Sequence, residues 1–387
     1  MIETTISIQN SARETIQALL RRGLEAGLVD AWLVPMRTPG GSVTPMLVKD
    51  PAALAQADPL APVLPINAAR AASQLTMTGH REKLGLVMRS CEIRALVELV
   101  KFQQASLEGA LIVGVDCLGT YPVVEWQAAD QEQVVEGLLA GAVLGELVPY
   151  EGLAFRDACT MCEQPLPDEY SGAPVGEHVA LTVGLVGVEA GQVYLKARED
   201  VAQALELEAG AVPAGRKAAA DKLITARTQA RDEALAAFRA RIGGGVGGNG
   251  DMGGLLAEFS ACIRCHNCMI NCPICYCREC IFRTPTFEHE SQLLFQWADR
   301  KGTVRLLPDM LLFHLTRMNH MATSCVGCGV CSDVCPVEIP VATAFRAVAE
   351  KAQALFDYHP GRSLDEAAPV QEFREDELTA LGERPGR

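Results

Sequence analysis

Cys262-Ile263-Arg264-Cys265-His266-Asn267-Cys268-Met269-Ile270-Asn271-Cys272-Pro273 and, further along, Cys325-Val326-Gly327-Cys328-Gly329-Val330-Cys331-Ser332-Asp333-Val334-Cys335-Pro336 share one spacing, Cys-x-x-Cys-x-x-Cys-x-x-x-Cys-Pro. Three thiolates two residues apart can wrap three corners of an iron–sulfur cube. A fourth, set before a proline that turns the chain away, reaches a neighbouring cube. The spacing therefore predicts one [4Fe-4S] cluster on Cys262, Cys265, Cys268 and Cys335, and a second on Cys325, Cys328, Cys331 and Cys272. Zinc also uses Cys-x-x-Cys pairs, but it normally takes two pairs parted by a loop. It gives no reason for a third cysteine at the same step and a Cys-Pro after it, twice.

Eleven of the fifteen cysteines lie between Cys262 and Cys335. The start of the chain has neither a basic nor an apolar signal region, and no apolar run reaches the roughly 18 residues that span a bilayer. A cytoplasmic protein is expected, so the cysteines point to metal ligation rather than to a disulfide framework. The net charge of −14 argues against a nucleic-acid partner, because a phosphate backbone needs basic surface. With 387 residues, the chain is long enough for two or three domains.

The sharpest internal boundary is the glycine run from Gly243 to Gly250, followed by Gly253-Gly254, which reads as a flexible linker. Before it, Arg216 to Ile242 carries a helical apolar stripe on Leu223, Ala226, Ala230, Ala234 and Phe238. Earlier still, helical periodicity in Ser11 to Gly27 precedes strand candidates at Ala31–Pro35, Leu84–Met88 and Ala110–Val115, with a helix at Glu92–Gln103; Val183–Val188 and Gln192–Leu195 read as further β-structure. Strand, helix, strand in that order predicts an α/β domain with a parallel or mixed sheet. Helices at Phe287–Trp297 and Leu306–Met318 bridge the two cysteine runs, giving an expanded, mostly helical, ferredoxin-like dicluster domain. The expected division is an α/β domain at 1–212, helix and linker at 213–254, the dicluster domain at 255–360 and a tail at 361–387. Because the dicluster part owns complete ligand sets, it is expected to fold alone. The polar, acidic tail from Pro360 is expected to lie on a partner or to be disordered.

Four cysteines remain. Cys91 and Cys117 each follow a predicted strand, so both can sit at the carboxyl ends of neighbouring parallel strands, where open α/β sheets place their sites. Cys159-Thr160-Met161-Cys162 adds a Cys-x-x-Cys pair. Four thiols gathered this way could bind a third cluster, and they could equally be inert core residues.

Met88-Arg89-Ser90-Cys91-Glu92-Ile93-Arg94, Val113-Gly114-Val115-Asp116-Cys117-Leu118 and Ala158-Cys159-Thr160-Met161-Cys162 resemble three stretches of the beta subunits of coenzyme F-420-reducing hydrogenases and dehydrogenases, over most of residues 10 to 195. The resemblance implies that Cys91, Cys117, Cys159 and Cys162 ligate a third [4Fe-4S] cluster beside a bound FAD, which exchanges a hydride with the deazaflavin. The family's glycine-rich segment is partly kept, which implies Gly184, Gly187 and Gly191 as flavin contacts. Two other stretches depart from the family: Glu14-Thr15-Ile16-Gln17 stands where it has a Gly-Gly pair, and Asp58-Pro59-Leu60-Ala61 where it has Thr-Lys-Tyr.

The C-terminal part, with Cys272-Pro273-Ile274-Cys275-Tyr276-Cys277-Arg278-Glu279-Cys280, is similar to formate dehydrogenase beta subunits that carry the same fusion. Cys275, Cys277 and Cys280 are surplus to the two cubes and could hold a further metal or serve structurally. His266 and His320 are expected to hydrogen-bond cluster sulfur rather than ligate iron. The function that follows is an electron-transfer subunit serving a formate dehydrogenase or hydrogenase catalytic chain, with a deazaflavin, a nicotinamide or another carrier as acceptor. Two rivals stand beside it: a flavin-free wire, and a heterodisulfide-reductase-like module built on the surplus cysteines.

Overall fold

A computed structural model of the chain describes residues 1–77, 82–168, 178–243 and 252–372. Seven strands form one mixed sheet: β1 (Ile2–Ser7), β2 (Ala31–Arg37), β3 (Val43–Val48), β4 (Leu84–Arg89), β5 (Ala110–Val115), β6 (Leu181–Gly184) and β7 (Gln192–Ala197), in the spatial order β1-β7-β6-β5-β4-β2-β3. The centre, β2, β4, β5 and β6, is parallel; β3, β7 and β1 pair antiparallel to their neighbours at the edges. Around the sheet lie α1 (Ala12–Glu25), α2 (Ala68–Thr76), α3 (Ser90–Lys101), α4 (Val123–Ala128), α5 (Gln131–Ala142), α6 (Asp157–Thr160) and α7 (Glu199–Ala204), followed by the long α8 (Arg216–Arg241). Beyond it come α9 (Met252–Glu258), α10 (Asn267–Ile270), α11 (Ser291–Lys301), α12 (Met310–Met321), α13 (Val330–Asp333) and α14 (Val341–Leu355).

The parallel strands are buried on both faces, which is why they read as unbroken apolar runs. Period-two alternation then divides them between two cores. Trp32, Val34, Val87, Val113 and Val115 face a core shared with α1 and α5. Leu33, Leu86, Met88 and Ile112 face the other way, into a core continuous with Phe259, Phe313, Val341 and Phe345 of the cysteine-rich part. One face of the sheet thus serves as the floor on which that part is built.

Polar contacts reinforce the junction. Arg94 of α3 donates from Nε to Pro360 O (2.9 Å) and from Nη1 to Val326 O (3.2 Å). Glu163 pairs with Arg346 of α14 and with Arg231 of α8. Buried Glu98 accepts from Tyr358 Oη (2.6 Å) and Gly361 N (2.8 Å), and Ala368 is fully covered. The tail out to residue 372 therefore folds back on α3 instead of standing free, because buried Glu98 needs those donors.

Three boundaries differ most from the sequence reading; among them, the helix expected at Leu306–Met318 runs from Met310 to Met321. The strand expected at Val183–Val188 is Leu181–Gly184, because the Asp116 carboxylate captures Leu185 N (2.8 Å) and Val186 N (3.0 Å) and draws the chain off the sheet. The helix expected from Phe287 begins at Ser291, after a 3-10 turn at Pro285–Phe287. Most of the glycine run, Gly244 to Gly250, lies outside the described residues.

The continuous core argues against the expectation that the dicluster part folds alone. Residues 255–387 expressed anaerobically without the rest should give at least ~10-fold less soluble protein than the full chain, since each large apolar side chain newly exposed costs about 1.5–3 kcal/mol. Co-expression with residues 1–254 should restore it. A soluble, iron-loaded fragment on size-exclusion chromatography would show that the shared core is dispensable.

Candidate iron-sulfur centres

The two cysteine runs fold alike. In the first loop Arg264 (φ 55°) and His266 (φ 63°) are left-handed; in the second, the same two positions hold Gly327 (φ 72°) and Gly329 (φ 77°). Left-handed turns between the cysteines curl the loop around its own thiols and point backbone N–H groups inward. Arg264 N donates to Cys262 Sγ (3.3 Å), and Val330 N donates to Cys328. For Arg264 and His266 the conformation costs about 1–2 kcal/mol each. It is held by Arg264 Nη1 on Asp309 (2.5 Å) and by His266 stacked on Phe313 (4.8 Å). A short helix follows each loop, α10 or α13, and Cys-Pro ends it. Asn267 Nδ2 donates to Val334 O (3.3 Å), tying the two halves together.

The thiols fall into sets. Cys268 lies within electrostatic reach of Cys262, Cys265 and Cys335, and Cys262 of Cys265 and Cys335. Cys272 leaves its own run to join Cys325 and Cys328, and Cys331 lies near all three. Cys91 opens α3 beyond β4, Cys117 follows β5, and Cys159 and Cys162 flank the end of α6; Cys91 and Cys117 each sense Cys162, and Cys117 senses Cys159. Thr120 Oγ1 is 3.0 Å from Cys159 Sγ. Among the described residues no three His, Cys, Asp or Glu side chains converge as they would around a single ion; the ligands of a cube stand on its corners and share no such point.

Burial pushes Cys117, Cys268 and Cys328 up to about 11 and Cys272 higher still, so these four thiols need a bound cation such as iron to be held as thiolates. The surroundings are built for negative charge. Arg227 of α8 is 6% exposed, senses Cys117 and Cys162, and has no hydrogen-bond partner on Nη1 or Nη2. A buried guanidinium left so costs on the order of several kcal/mol unless an anion meets it. A cube with four thiolates is a dianion and fits the place. Arg156 donates from Nη1 to Thr120 Oγ1 (3.0 Å) and from Nη2 to Cys328 O (3.0 Å), pairs with Asp333, and so links the N-terminal set to the loop of the second run. There the chains nearly touch: a side chain on Gly329 would place its Cβ 2.3 Å from that of Ala158.

Of the two histidines singled out in the sequence, His266 stacks on Phe313 and His320 is exposed. His314, six residues before His320 and on the buried face of α12, sets Nε2 3.3 Å from Cys262 Sγ; burial pushes it down to about 3, so it stays neutral. Its signal in the sequence was a polar pair, His314 and Arg317, inside the stripe Met310, Phe313, Met318, Met321. Cys275, near Cys277 and Cys280, adjoins Cys272; Cys277 is exposed, and Cys280 Sγ lies 3.8 Å from Met269 Sδ.

The glycines implied for a flavin serve the chain itself. A Cβ on Gly184 would lie 2.6 Å from the Tyr194 ring and 2.7 Å from Arg216 Nη1; one on Gly187 would lie 2.4 Å from Arg216 Cα. Arg216, buried between Asp116 (2.8 Å) and Asp168, occupies that space. Gly191 (φ 80°) shapes the approach to β7 and accepts from Ile8 N (2.8 Å). The space beside Gly184 and Gly187 is thus filled by the chain's own atoms, whereas a Cβ on Gly191 would meet nothing within 4 Å.

A family profile described as a 4Fe-4S dicluster domain matches residues 258–339. The chain is 25% identical over 324 residues to the F420-dependent formate dehydrogenase subunit beta of Methanocaldococcus jannaschii, an alignment covering 74% of this chain and 76% of that one. It is 26% identical over 321 residues to the F420-dependent formate dehydrogenase 1 subunit beta of Methanococcus maripaludis, covering 74% of each. The resemblance read from the sequence, to this kind of beta subunit with a C-terminal dicluster domain, is borne out.

Replacing Cys117 by Ala should remove the N-terminal centre alone, with a loss of about four iron atoms per chain. Anaerobic iron and sulfide analysis checks this, and an unchanged iron content would show that Cys117 is not a ligand.

Proposed function

We propose that this chain is the iron–sulfur electron-transfer subunit of a formate dehydrogenase-type complex, holding three [4Fe-4S] clusters in a row. The N-terminal cluster is on Cys91, Cys117, Cys159 and Cys162. The middle one is on Cys325, Cys328, Cys331 and Cys272, and the outer one on Cys262, Cys265, Cys268 and Cys335. The observation that carries the reading is the gathering of these cysteines into three adjoining sets lined by buried arginines. Cys91 senses Cys328 as well as its own set, which supports the middle place of the second cluster. The outer set includes exposed Cys265, beside exposed Ile263, and gives a partner an edge to approach. The division proposed from the sequence, with an α/β domain, a linking helix and a ferredoxin-like domain, is kept as functional parts that share a core.

Clusters pass single electrons. What this chain's residues do is exclude water, fix the thiols and offset their charge. The relatives' names supply the donor and acceptor as proposals: a formate-oxidising catalytic chain and coenzyme F420. No helix among the described residues is long and apolar enough to cross a membrane, and a cytoplasmic complex is proposed. The flavin-free wire draws specific support from Arg216, which fills the space beside Gly184 and Gly187; such a wire would hand single electrons to a one-electron carrier, because coenzyme F420 takes up two electrons and a proton as a hydride and needs a flavin between it and the clusters.

Anaerobically purified protein is expected to contain about 12 iron atoms per chain, and its clusters should bleach when formate is given to the complex with its catalytic chain. Iron near eight would remove the N-terminal cluster. Failure of formate to bleach any cluster in an active complex would remove the assigned role. Flavin quantification on the same sample separates wire from flavoprotein, one FAD per chain overturning the wire.

A further inference from the structure

Arg317 lies on the buried face of α12 and is 4% exposed. Nη1 donates to Cys268 Sγ (3.1 Å) and Nη2 to Cys268 O (2.9 Å), while Nε is buried without a hydrogen-bond partner. Its Cζ stands 5.5 Å from the Phe313 ring centroid and 4.9 Å from that of Phe345, so aromatic rings screen it from water. Arg317 also lines the cavity walled by Cys272, Cys325, Cys328 and Cys331 of the middle set, so its charge is shared: it acts on Cys268 of the outer set, on Cys272 and Cys331 of the middle set, and on the neighbouring Cys275.

We infer that Arg317 is the common counter-ion of the two dicluster centres, a positioning residue that raises both reduction potentials together. The inference rests on the proposal that these two cysteine sets hold [4Fe-4S] clusters. Reduction of either centre adds one electron from the donor and makes or breaks no bond; the centre gains one negative charge. Two dianions side by side disfavour that gain, and a cation between them offsets it, the more strongly because the site is dry. A merely structural arginine would need only its bond to Cys268 O. The contact to Cys268 Sγ, the reach to the other set and the unpartnered Nε go beyond that need.

The test is an anaerobic redox titration of the full chain, followed by electron paramagnetic resonance, on wild type, Arg317→Gln and Arg317→Lys, with iron and sulfide counted in each. With iron content unchanged, Arg317→Gln should move both dicluster potentials negative by at least about 59 mV, a tenfold change in a one-electron equilibrium. The N-terminal cluster should keep its potential, and Arg317→Lys, which keeps the charge, should return both dicluster values most of the way. An iron-replete Arg317→Gln with unmoved potentials, or with only the outer cluster moved, overturns the inference. If Arg317→Gln does not load, Arg317→Lys decides: a small negative shift at both centres supports the shared cation, and a shift at one or neither refutes it. Wild-type protein without iron in these two sites would instead refute the underlying cluster assignment.

Discussion

The thiols of the three cysteine sets, all but Cys265 buried or half-buried and each a thiolate if it is to hold iron, set the main constraint on this structure, because buried anions are tolerated only beside compensating cations. The chain meets it by inverting its own charge distribution. Overall it is acidic, at −14, yet Arg89, Arg94, Arg156, Arg227 and Arg317 are all buried around the cysteine sets. Each comes from a different element, so the arginines also fix how the elements meet. Arg94 joins α3 to the second cysteine loop, Arg156 joins α6 to the same loop, and Arg227 brings the middle of α8 against the N-terminal set. Electrostatic compensation and domain docking are here performed by the same side chains.

That arrangement explains what the sequence disclosed and what it withheld. The cysteine spacing is local, so the expectation that Cys272 and Cys335 exchange between the two loops could be stated without a structure. The parallel centre of the sheet was legible too, since Leu84–Arg89 and Ala110–Val115 are apolar on both faces and flank a helix. Arginines carry no such pattern. Arg227 lies far in sequence from Cys117 and Cys162, and Arg317 far from Cys268 and Cys272, so only folding brings them together, and an arginine on a helix reads by default as solvated surface. The glycines show a related limit: Gly184 and Gly187 are required by the approach of Arg216, a tertiary contact, and a glycine's sequence context does not say what comes close to it.

The shared core likewise could not be read from the linker. A glycine run reports that the backbone there has no preferred element; it says nothing of whether the segments on either side touch. Leu86 and Met88 on one side and Phe313 and Phe345 on the other are each ordinary core residues, and only the sheet's second face shows that they fill one volume.

Gly329 gives the arrangement a length scale. Electron tunnelling between centres weakens steeply with every ångström of separation, and where the second loop meets α6 that separation is limited by a backbone carrying only hydrogen at Cα. A methyl group there would overlap Ala158 Cβ at 2.3 Å and would also crowd Arg156 Nη2 at 3.1 Å. Relief would require the loop and helix to part, widening the gap between the middle and N-terminal centres while every ligand stayed in place. In the proposed wire, conduction speed is thus governed at this junction by a spacer of atomic size, and two redox sites with intact ligands could fall out of communication through the gain of a single carbon.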